Sequence, residues 1–427
     1  MPSRWFRGIP RPVWLLGFVS FFADLSSELV YPIIPIFLTV TLGAPATAVG
    51  VTEGVAEATA NLTRLFSGRW SDRANARKPF IVAGYSLAVA GKVVLCLAPA
   101  WGFAVAGRAM DRFGKGIRTA PRDALLADFT TRENRGRLFG FHRSFDSLGA
   151  VGGPLLGLLF IALAGDHLRW AIAIAVVPGL IAVFVLRWLP ERKPGHDEAA
   201  EAISLRDLPR QYWLFLAVAA LFMAGNSSDA FLILRSKDIG LSTTLVVLAY
   251  VVYNVGYTLG AYPAGILSDV VPRPVLLVGG YLVFAAVYLG FATVSSEWAV
   301  WPLLALYGIY IAATDGITKA FVADMAPPSV RSSALGVFQG ATGLVTLVAS
   351  IAAGVLWDVV SPSAPFVLGA CCATGAALAF IVLSASGSFR AAPSPPAGAA
   401  PPGPPPPATY PPLLFPSLHI SPPWLPT

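Results

Sequence analysis

Charged side chains follow one face of an otherwise apolar segment near residue 110. Five cations and one carboxylate recur there at helical spacing, within an arc of roughly 120° at 100° per residue. These residues are Arg108, Asp111, Arg112, Lys115, Arg118 and Arg122. The stripe cannot face lipid, because each charge costs about 2.5–3.5 kcal/mol at the centre of a bilayer. It predicts a helix that faces a water-filled path or carboxylates on neighbouring helices.

Carboxylates that could meet these cations occur in the two apolar segments nearest the N-terminus. Asp24 and Glu28 lie one helical turn apart before Pro32, and Glu53 and Glu57 are spaced in the same way. Further candidates inside apolar segments are Lys92, His142, Asp146, Asp229 and Asp315. We interpret the set as a proton or substrate pathway, because an ionisable residue within a membrane span is a functional candidate by default. The alternative is a static ion-pair network that only holds the helices together.

The chain that positions these residues is too apolar for an ordinary soluble enzyme. Of its 427 residues 56% are apolar and 12% are charged, whereas a typical soluble domain has about 25% charged residues. The apolar residues form twelve runs, each close to the roughly 20 residues that cross a hydrocarbon core. Lys and Arg outside the runs concentrate on one side, which predicts cytoplasmic termini. The net charge of +7 therefore reflects membrane topology and not nucleic-acid binding.

The two halves of the chain resemble each other at a nearly constant offset. Ala127-Asp128 recurs as Ala323-Asp324, and Gly68 with Asp72 recurs as Gly265 with Asp269. The repeat predicts an all-α membrane protein, with twelve transmembrane helices in two pseudo-symmetric six-helix bundles. The predicted organisation is a cytoplasmic N-terminus over 1–11, bundles over 12–189 and 211–386, a cytoplasmic linker over 190–210, and a disordered proline-rich cytoplasmic tail over 387–427.

The loop after the second apolar segment resembles a motif of the major facilitator superfamily of secondary transporters. The matching positions are Gly68, Asp72, Arg73 and Arg77, with a weaker copy at Gly265, Asp269 and Arg273. Trp70 and Asn75 depart from the family pattern, which has Leu and Gly at these positions. The resemblance implies a cytoplasmic gate, in which Asp72 caps a helix of the other half and Arg77 pairs with Asp128.

The fifth apolar segment resembles the glycine motif of the family's drug/proton antiporters. The matching residues are Gly140, Gly149, Gly153, Pro154 and Gly157, and only the final glycine of the motif is replaced, by Leu158. By the same resemblance Arg108 corresponds to the arginine of the family's fourth helix, although Asp111 and Arg112 replace its usual neighbours. The glycine motif implies export by proton exchange in place of uptake.

Three functions are compatible with these patterns. The first is a monomeric, proton-coupled exporter of a small molecule, which works by alternating access in the plasma or inner membrane. The second is a carrier for uptake or exchange of organic anions, suggested by the cationic stripe. The third is a membrane scaffold or sensor that transports nothing. We predict no enzyme activity, cofactor or metal site, because no catalytic constellation, nucleotide-binding loop or metal-ligand spacing of cysteines is present.

Overall fold

The computed structural model describes residues 9–131, 134–164, 167–191, 208–326 and 331–389. All regular elements in these ranges are helical, because lipid offers no hydrogen-bond partners to backbone N–H and C=O groups. The described residues form twelve long helical segments. They are α1 Arg11–Thr41, α2 Ala46–Arg73, α3 Lys78–Leu97, α4 Trp101–Asp128, α5 Arg135–Ala164, α6 Leu168–Trp188, α7 Arg210–Ile239, α8 Thr243–Val270, α9 Arg273–Thr293, α10 Glu297–Met325, α11 Arg331–Val359 and α12 Ala364–Ala385.

The helices pack as two six-helix bundles with matching neighbours, which confirms the predicted fold class. In the first bundle α2 packs on α4 and α3 on α6, and in the second α8 packs on α10 and α9 on α12. The bundles meet where α2 contacts α11 and α5 contacts α8. The domain boundaries from the repeat stay a prediction, since residues 1–8, most of the linker (192–207) and most of the tail (390–427) lie outside the described residues.

Ten of the twelve described helices are long and apolar enough to cross a membrane by length and composition alone. The two others are α2 and α4, which carry the acidic face and the cationic stripe. Helix α4 packs along both α2 and α3, and Arg108, Asp111, Arg112 and Arg118 are each no more than 5% exposed. The charges of α4 therefore face protein, as a polar stripe in a membrane helix must.

The first helix of each bundle is interrupted near its middle. Helix α1 breaks after Val30, at Pro32, whose missing N–H cannot continue the hydrogen-bond ladder. Helix α7 consists of Arg210–Gly225 and Ala230–Ile239 with no proline between them. Its freed Ser228 N–H donates to the Ser350 hydroxyl of α11 at 3.1 Å. Both breaks place irregular backbone inside the protein, where side chains and neighbouring helices can satisfy it.

Two reciprocal glycine pairs bring the backbones of α3 and α4 into contact. A Cβ on Gly91 would lie 2.5 Å from the Gly107 carbonyl oxygen, and a Cβ on Gly107 would lie 2.7 Å from that of Gly91. Gly84 and Gly114 repeat the arrangement two turns away. Small residues allow this approach between membrane helices. It brings Lys92 on α3 next to Asp111 on α4.

Candidate functional site

Four buried charges on α2, α3 and α4 form one hydrogen-bonded group, the ion-pair cluster. Arg108 binds Glu53 through two parallel hydrogen bonds of 2.9 and 3.0 Å, and its third nitrogen lies 3.3 Å from Asp111. Asp111 also accepts from the Lys92 ammonium at 2.9 Å. All four side chains are at most 6% exposed. Two cations here compensate two carboxylates, so this group has the geometry of a static ion-pair network that holds the helices together.

Two of the predicted pathway acids differ from the cluster because they form no ion pair within the described part of the chain. Asp24 lies at the middle of α1 and lines a cavity with Lys115. Glu28, one turn further along α1, accepts a hydrogen bond of 3.0 Å from the Tyr250 hydroxyl of α8. This contact joins the two bundles. Both acids are thus free to change protonation without breaking a buried salt bridge.

The other predicted pathway residues form contacts that are longer or more exposed than those of the ion-pair cluster. Glu57 is 41% exposed on its side chain and lies 3.9 Å from Arg112. His142 and Asp146 approach within 3.8 Å on α5. Asp315 pairs with Lys319, one turn away on α10, at 2.8 Å. None of these contacts has the burial and short bidentate geometry of the ion-pair cluster.

Asp229 stands apart from these groups, at the break of α7. It accepts hydrogen bonds from the hydroxyls of Tyr253 at 3.2 Å and Tyr307 at 2.7 Å. The space beside it is only about 10 Å³. Asp229 follows Ser227-Ser228 as Glu28 follows Ser26-Ser27, which makes the two acids counterparts in the repeat. Each of them accepts a hydrogen bond from a tyrosine of α8.

Two cavities of about 380 and 420 Å³ lie between the bundles. Cavity A is the first and is lined by α2, α7, α9, α10 and α11. Cavity B is the second and is lined by α1, α2, α4, α5, α8 and α10. Most of their residues belong to the half of the helices nearer the α2–α3 loop, which we call the motif end. The two cavities share Arg64 and Lys319, so they adjoin.

The other end of the bundles, which carries the α1–α2 loop and is called here the opposite end, is closed by α2 and α11. The Asp358 carboxylate accepts hydrogen bonds from the N–H groups of Ala46 at 2.9 Å and Thr47 at 2.7 Å, and from the Thr47 hydroxyl at 2.6 Å. A Cβ on Gly354 would lie 2.6 Å from the Thr47 Cα. Asp358 thus caps the N-terminus of α2, a favourable place for a negative charge.

At the motif end, each half forms the same ion pair. Arg77 contacts Asp128, and Arg273 contacts Asp324 at the corresponding position of the repeat. Asp72 and Arg73 are exposed and form no ion pair in the described part of the chain. The predicted gate residues Gly265 and Asp269 lie on α8, but the packing of Gly265 and the side chain of Asp269 are outside the described part of the chain. The Arg77–Asp128 contact agrees with the family resemblance, whereas a gating role for these residues stays a prediction.

The glycine motif of α5 faces α1 at three of its four glycines. A Cβ on Gly149 would lie 2.6 Å from the Phe21 carbonyl oxygen, and one on Gly153 would lie 2.7 Å from the Leu29 nitrogen. Gly157 is less tight, at 3.4 Å from the Leu29 carbonyl oxygen, and Gly140 has no heavy atom within 4 Å. The motif therefore holds α5 against the stretch of α1 that carries Asp24 and Glu28.

This contact predicts unequal effects of alanine along the motif. Gly153→Ala should push α5 from α1 and reduce transport strongly, because the new methyl group meets backbone. Gly140→Ala, the matched control, meets open space and should be neutral or stabilising by up to about 1 kcal/mol, the helix-propensity gain of Ala over Gly. Transport and melting temperature of both purified variants check this. Equal behaviour of the two would contradict the packing role of Gly153.

Some residues at the site escape the sequence patterns. Arg64 follows Glu57 by seven residues and extends the polar face of α2, so helical spacing could have included it. Tyr250 precedes Tyr253 by three residues on one face of α8. Asp358 follows an apolar run near a helix end, and no sequence signal pairs it with Thr47.

The architecture by itself defines the class of protein. Two six-helix bundles related by a repeat, with charged cavities between them, are typical of secondary membrane transporters. The chain belongs to the Major Facilitator Superfamily, whose sequence model matches residues 16–250 and 214–424. It is therefore a multi-pass membrane transporter, which acts on a small molecule in a lipid bilayer.

Relatives and solved structures agree with this family. An uncharacterised MFS-type transporter of Methanocaldococcus jannaschii is 36% identical over 384 residues, which are 88% of this chain and 96% of that protein. The inner membrane transport protein YajR of Escherichia coli is 32% identical over 176 residues, 40% of this chain and 38% of that protein. The crystal structure of the nucleoside transporter NupG, at 13% identity and a TM-score of 0.74, covers 88% of this chain and 99% of that chain and shares the fold.

Proposed function

We propose that this protein is a drug/proton-antiporter-like exporter, which moves a small molecule across the cell membrane in exchange for protons. The observation that carries the proposal is the contrast among the acids inside the membrane-spanning helices. Glu53 and Asp111 are held in the ion-pair cluster, whereas Asp24 and Glu28 form no ion pair within the described part of the chain and lie on the interrupted helix α1. An acid that protonates in one conformation and ionises in another couples proton movement to the conformational change.

The arrangement of contacts supports alternating access. The opposite end is closed by the hydrogen bonds from α2 to Asp358 of α11 and by the Glu28–Tyr250 hydrogen bond, while the cavities lie toward the motif end. Glu28 therefore contributes to closure of the opposite end and is also a candidate proton carrier. Protonation of Glu28 would change the bond that it makes with Tyr250, and this links proton binding to opening of that end.

The glycine motif of α5 supports the direction of transport. In the family this motif is typical of antiporters, and here three of its glycines pack on α1 beside the candidate proton carriers. The test is a screen in proteoliposomes of purified protein, in which added cationic and anionic compounds are scored for the pH change that they cause inside the vesicles. If the protein exchanges protons for its substrate, the pH inside the vesicles should change only when a transported compound is added. Substrate flux with no pH change would exclude the proton coupling.

We also propose that both chain termini and the linker 190–210 face the cytoplasm, which makes the motif end the cytoplasmic end. His196→Cys in a chain whose Cys96, Cys371 and Cys372 are replaced by Ser should react with an impermeant maleimide only after the cells are opened. Trp298→Cys, at the exposed N-terminus of α10, is the control and should react in intact cells. The reversed labelling pattern would show that the topology is opposite to the proposed one, and it would contradict the proposed direction of export.

We further propose that the transporter works as a monomer.

A further inference from the structure

We propose that cavities A and B together form one binding site for an amphipathic organic anion, with the anionic group in cavity B and an apolar or aromatic body in cavity A. This names the substrate class of the transporter proposed above and rests on that proposal. The juxtaposition that supports it is an excess of positive charge in one cavity beside aromatic walls in the other.

Cavity B contains more cations than carboxylates. Six cations line it, Arg64, Lys115, Arg118, Arg122, Arg143 and Lys319, against the three carboxylates Asp24, Asp123 and Asp146. Arg122 pairs with Asp123 at 2.9 Å and Lys319 with Asp315 at 2.8 Å. The four other cations form no ion pair within the described residues. Charge that a protein leaves uncompensated between helices is costly, and an anionic ligand would compensate it.

Three of the four guanidinium groups in cavity B are held in place by neutral partners. Arg118 stacks over the Tyr85 ring at 4.1 Å from its centroid. Arg143 donates to the Tyr257 hydroxyl at 3.3 Å, and Arg64 donates to Gln339 at 3.3 Å while its buried Nε has no hydrogen-bond partner. Each group therefore keeps N–H donors available. Positioned guanidinium groups suit the paired oxygens of a carboxylate or phosphate.

Cavity A has a different character. Its walls include Phe222, Tyr281, Tyr310 and Phe338, and the rings of Phe222 and Tyr281 stack with centroids 4.1 Å apart. Its charged lining is balanced, with Glu57 and Asp315 against the shared Arg64 and Lys319. Its lining also includes uncharged polar side chains such as Asn61 and Thr342, and ligand sites combine apolar and aromatic walls with placed polar groups. A ligand that spans both cavities would place its body among these rings.

A series of naphthalene compounds with one body and different charged groups tests the inference. Binding of naphthoate, naphthyl phosphate, naphthalenesulfonate and naphthylmethylammonium to the purified full-length protein is measured by titration calorimetry. We expect the anions to bind and the ammonium compound to bind at least about tenfold more weakly, because a charge-assisted hydrogen bond contributes about 1.5–3 kcal/mol. The order among the three anions distinguishes a carboxylate, a phosphate and a sulfonate as the preferred group.

Charge-removing variants connect the binding to cavity B. Lys115→Gln and Arg143→Gln should each weaken anion binding about tenfold. Neither variant should weaken binding of the ammonium compound. Lys115→Arg should retain anion binding. Arg187→Gln, which removes an exposed cation at the end of α6, is the matched control and should bind like the wild type. Because Arg143 is exposed, its variant should fold even if substitution of Lys115 impairs folding.

Three results would overturn the inference: binding of the ammonium compound as tight as that of the anions, no binding by any anion, or unchanged anion binding in both Gln variants. The outcome is separable from that of the proposed function. Proton-driven transport of the ammonium compound would support the exporter and overturn the anion site. Anion binding that depends on Lys115 and Arg143, without any pH-linked flux, would support the site and overturn the coupling.

Discussion

Neutralising Asp24 or Glu28 is expected to abolish transport driven by a pH gradient while sparing substrate exchange at equal pH on both sides. A gradient of one pH unit supports about tenfold accumulation per exchanged proton, since it is worth about 1.4 kcal/mol. Asp24→Asn or Glu28→Gln should remove this accumulation completely if the residue carries the proton. Exchange needs only substrate binding and the conformational change, which an uncharged amide of the same size leaves possible.

Asp24 and Glu28 are the expected proton carriers because neither carboxylate forms an ion pair within the described residues. In the ion-pair cluster a carboxylate could gain a proton only by breaking a buried salt bridge, which costs several kcal/mol. Asp24 faces cavity B beside Lys115, and the distance between them can change when α1 flexes at Pro32. Glu28 accepts a hydrogen bond from Tyr250 of the other bundle, and opening of the opposite end would break this bond. Glu57 is the next candidate, because its 3.9 Å contact with Arg112 is looser than those of the cluster.

The measurement compares uptake into everted vesicles with and without a pH gradient, and counterflow at equal pH, for the wild type and each variant. Glu297→Gln, which removes an exposed acid at the opposite end, is the matched control. Loss of both activities in equal measure, with folding intact, would assign these acids to substrate binding. Unchanged activity in both variants would mean that the first-helix acids are structural, as in the static-network alternative.

The twelve helices could be predicted because the length of each apolar run is set by the thickness of the bilayer. The same holds for the orientation of the stripe on α4, since a face with five cations has to avoid lipid. Residue spacing defines which face of a helix is polar, but not the depth and rotation at which two distant helices meet. The pairing of Arg108 with Glu53, 55 positions earlier, therefore required the structure.

The interruptions of α1 and α7 differ in how far the sequence predicts them. Pro32 predicts a break in α1, because proline lacks an N–H and restricts its neighbours. The break in α7 lies at Asn226–Asp229, where no proline occurs and where Ser350 of α11 accepts the freed N–H of Ser228. A break that depends on a partner from another helix leaves little trace in local sequence. Asp229 therefore lies at a helix break, where two tyrosine hydroxyls donate to it. It does not line cavity A or cavity B.

The second large effect is expected at the carboxylates of the α2–α11 pair. In the described conformation Asp358, near the end of α11, caps the N-terminus of α2 at the opposite end. Asp72, near the end of α2, is exposed here, and the family resemblance implies that it caps a helix of the other bundle when the motif end closes. Each carboxylate would then stabilise one of the two end states. Their removal should shift the conformational equilibrium in opposite directions.

Asp358→Asn removes the charge from hydrogen bonds to two backbone N–H groups and one hydroxyl, and should cost the described state about 1.5–3 kcal/mol. Such a change shifts the populations about tenfold or more toward opening of the opposite end. Asp72→Asn should instead favour the described state. Both changes can be followed by the distance between spin labels at Trp101→Cys and Trp298→Cys, exposed positions at the opposite end on different bundles, after the three native cysteines are replaced by Ser. The label distance should lengthen in Asp358→Asn and not in Asp72→Asn.

The matched control for this comparison is Asp238→Asn, because Asp238 also lies at the opposite end but pairs with Arg235 within its own helix. Its distance distribution should match that of the wild type. Identical distributions in Asp358→Asn and the wild type would show that the cap on α2 does not hold the opposite end closed. A longer distance in both Asp358→Asn and Asp238→Asn would indicate a general effect of removing charge at that end. Only lengthening specific to Asp358→Asn supports a carboxylate latch that alternates with Asp72.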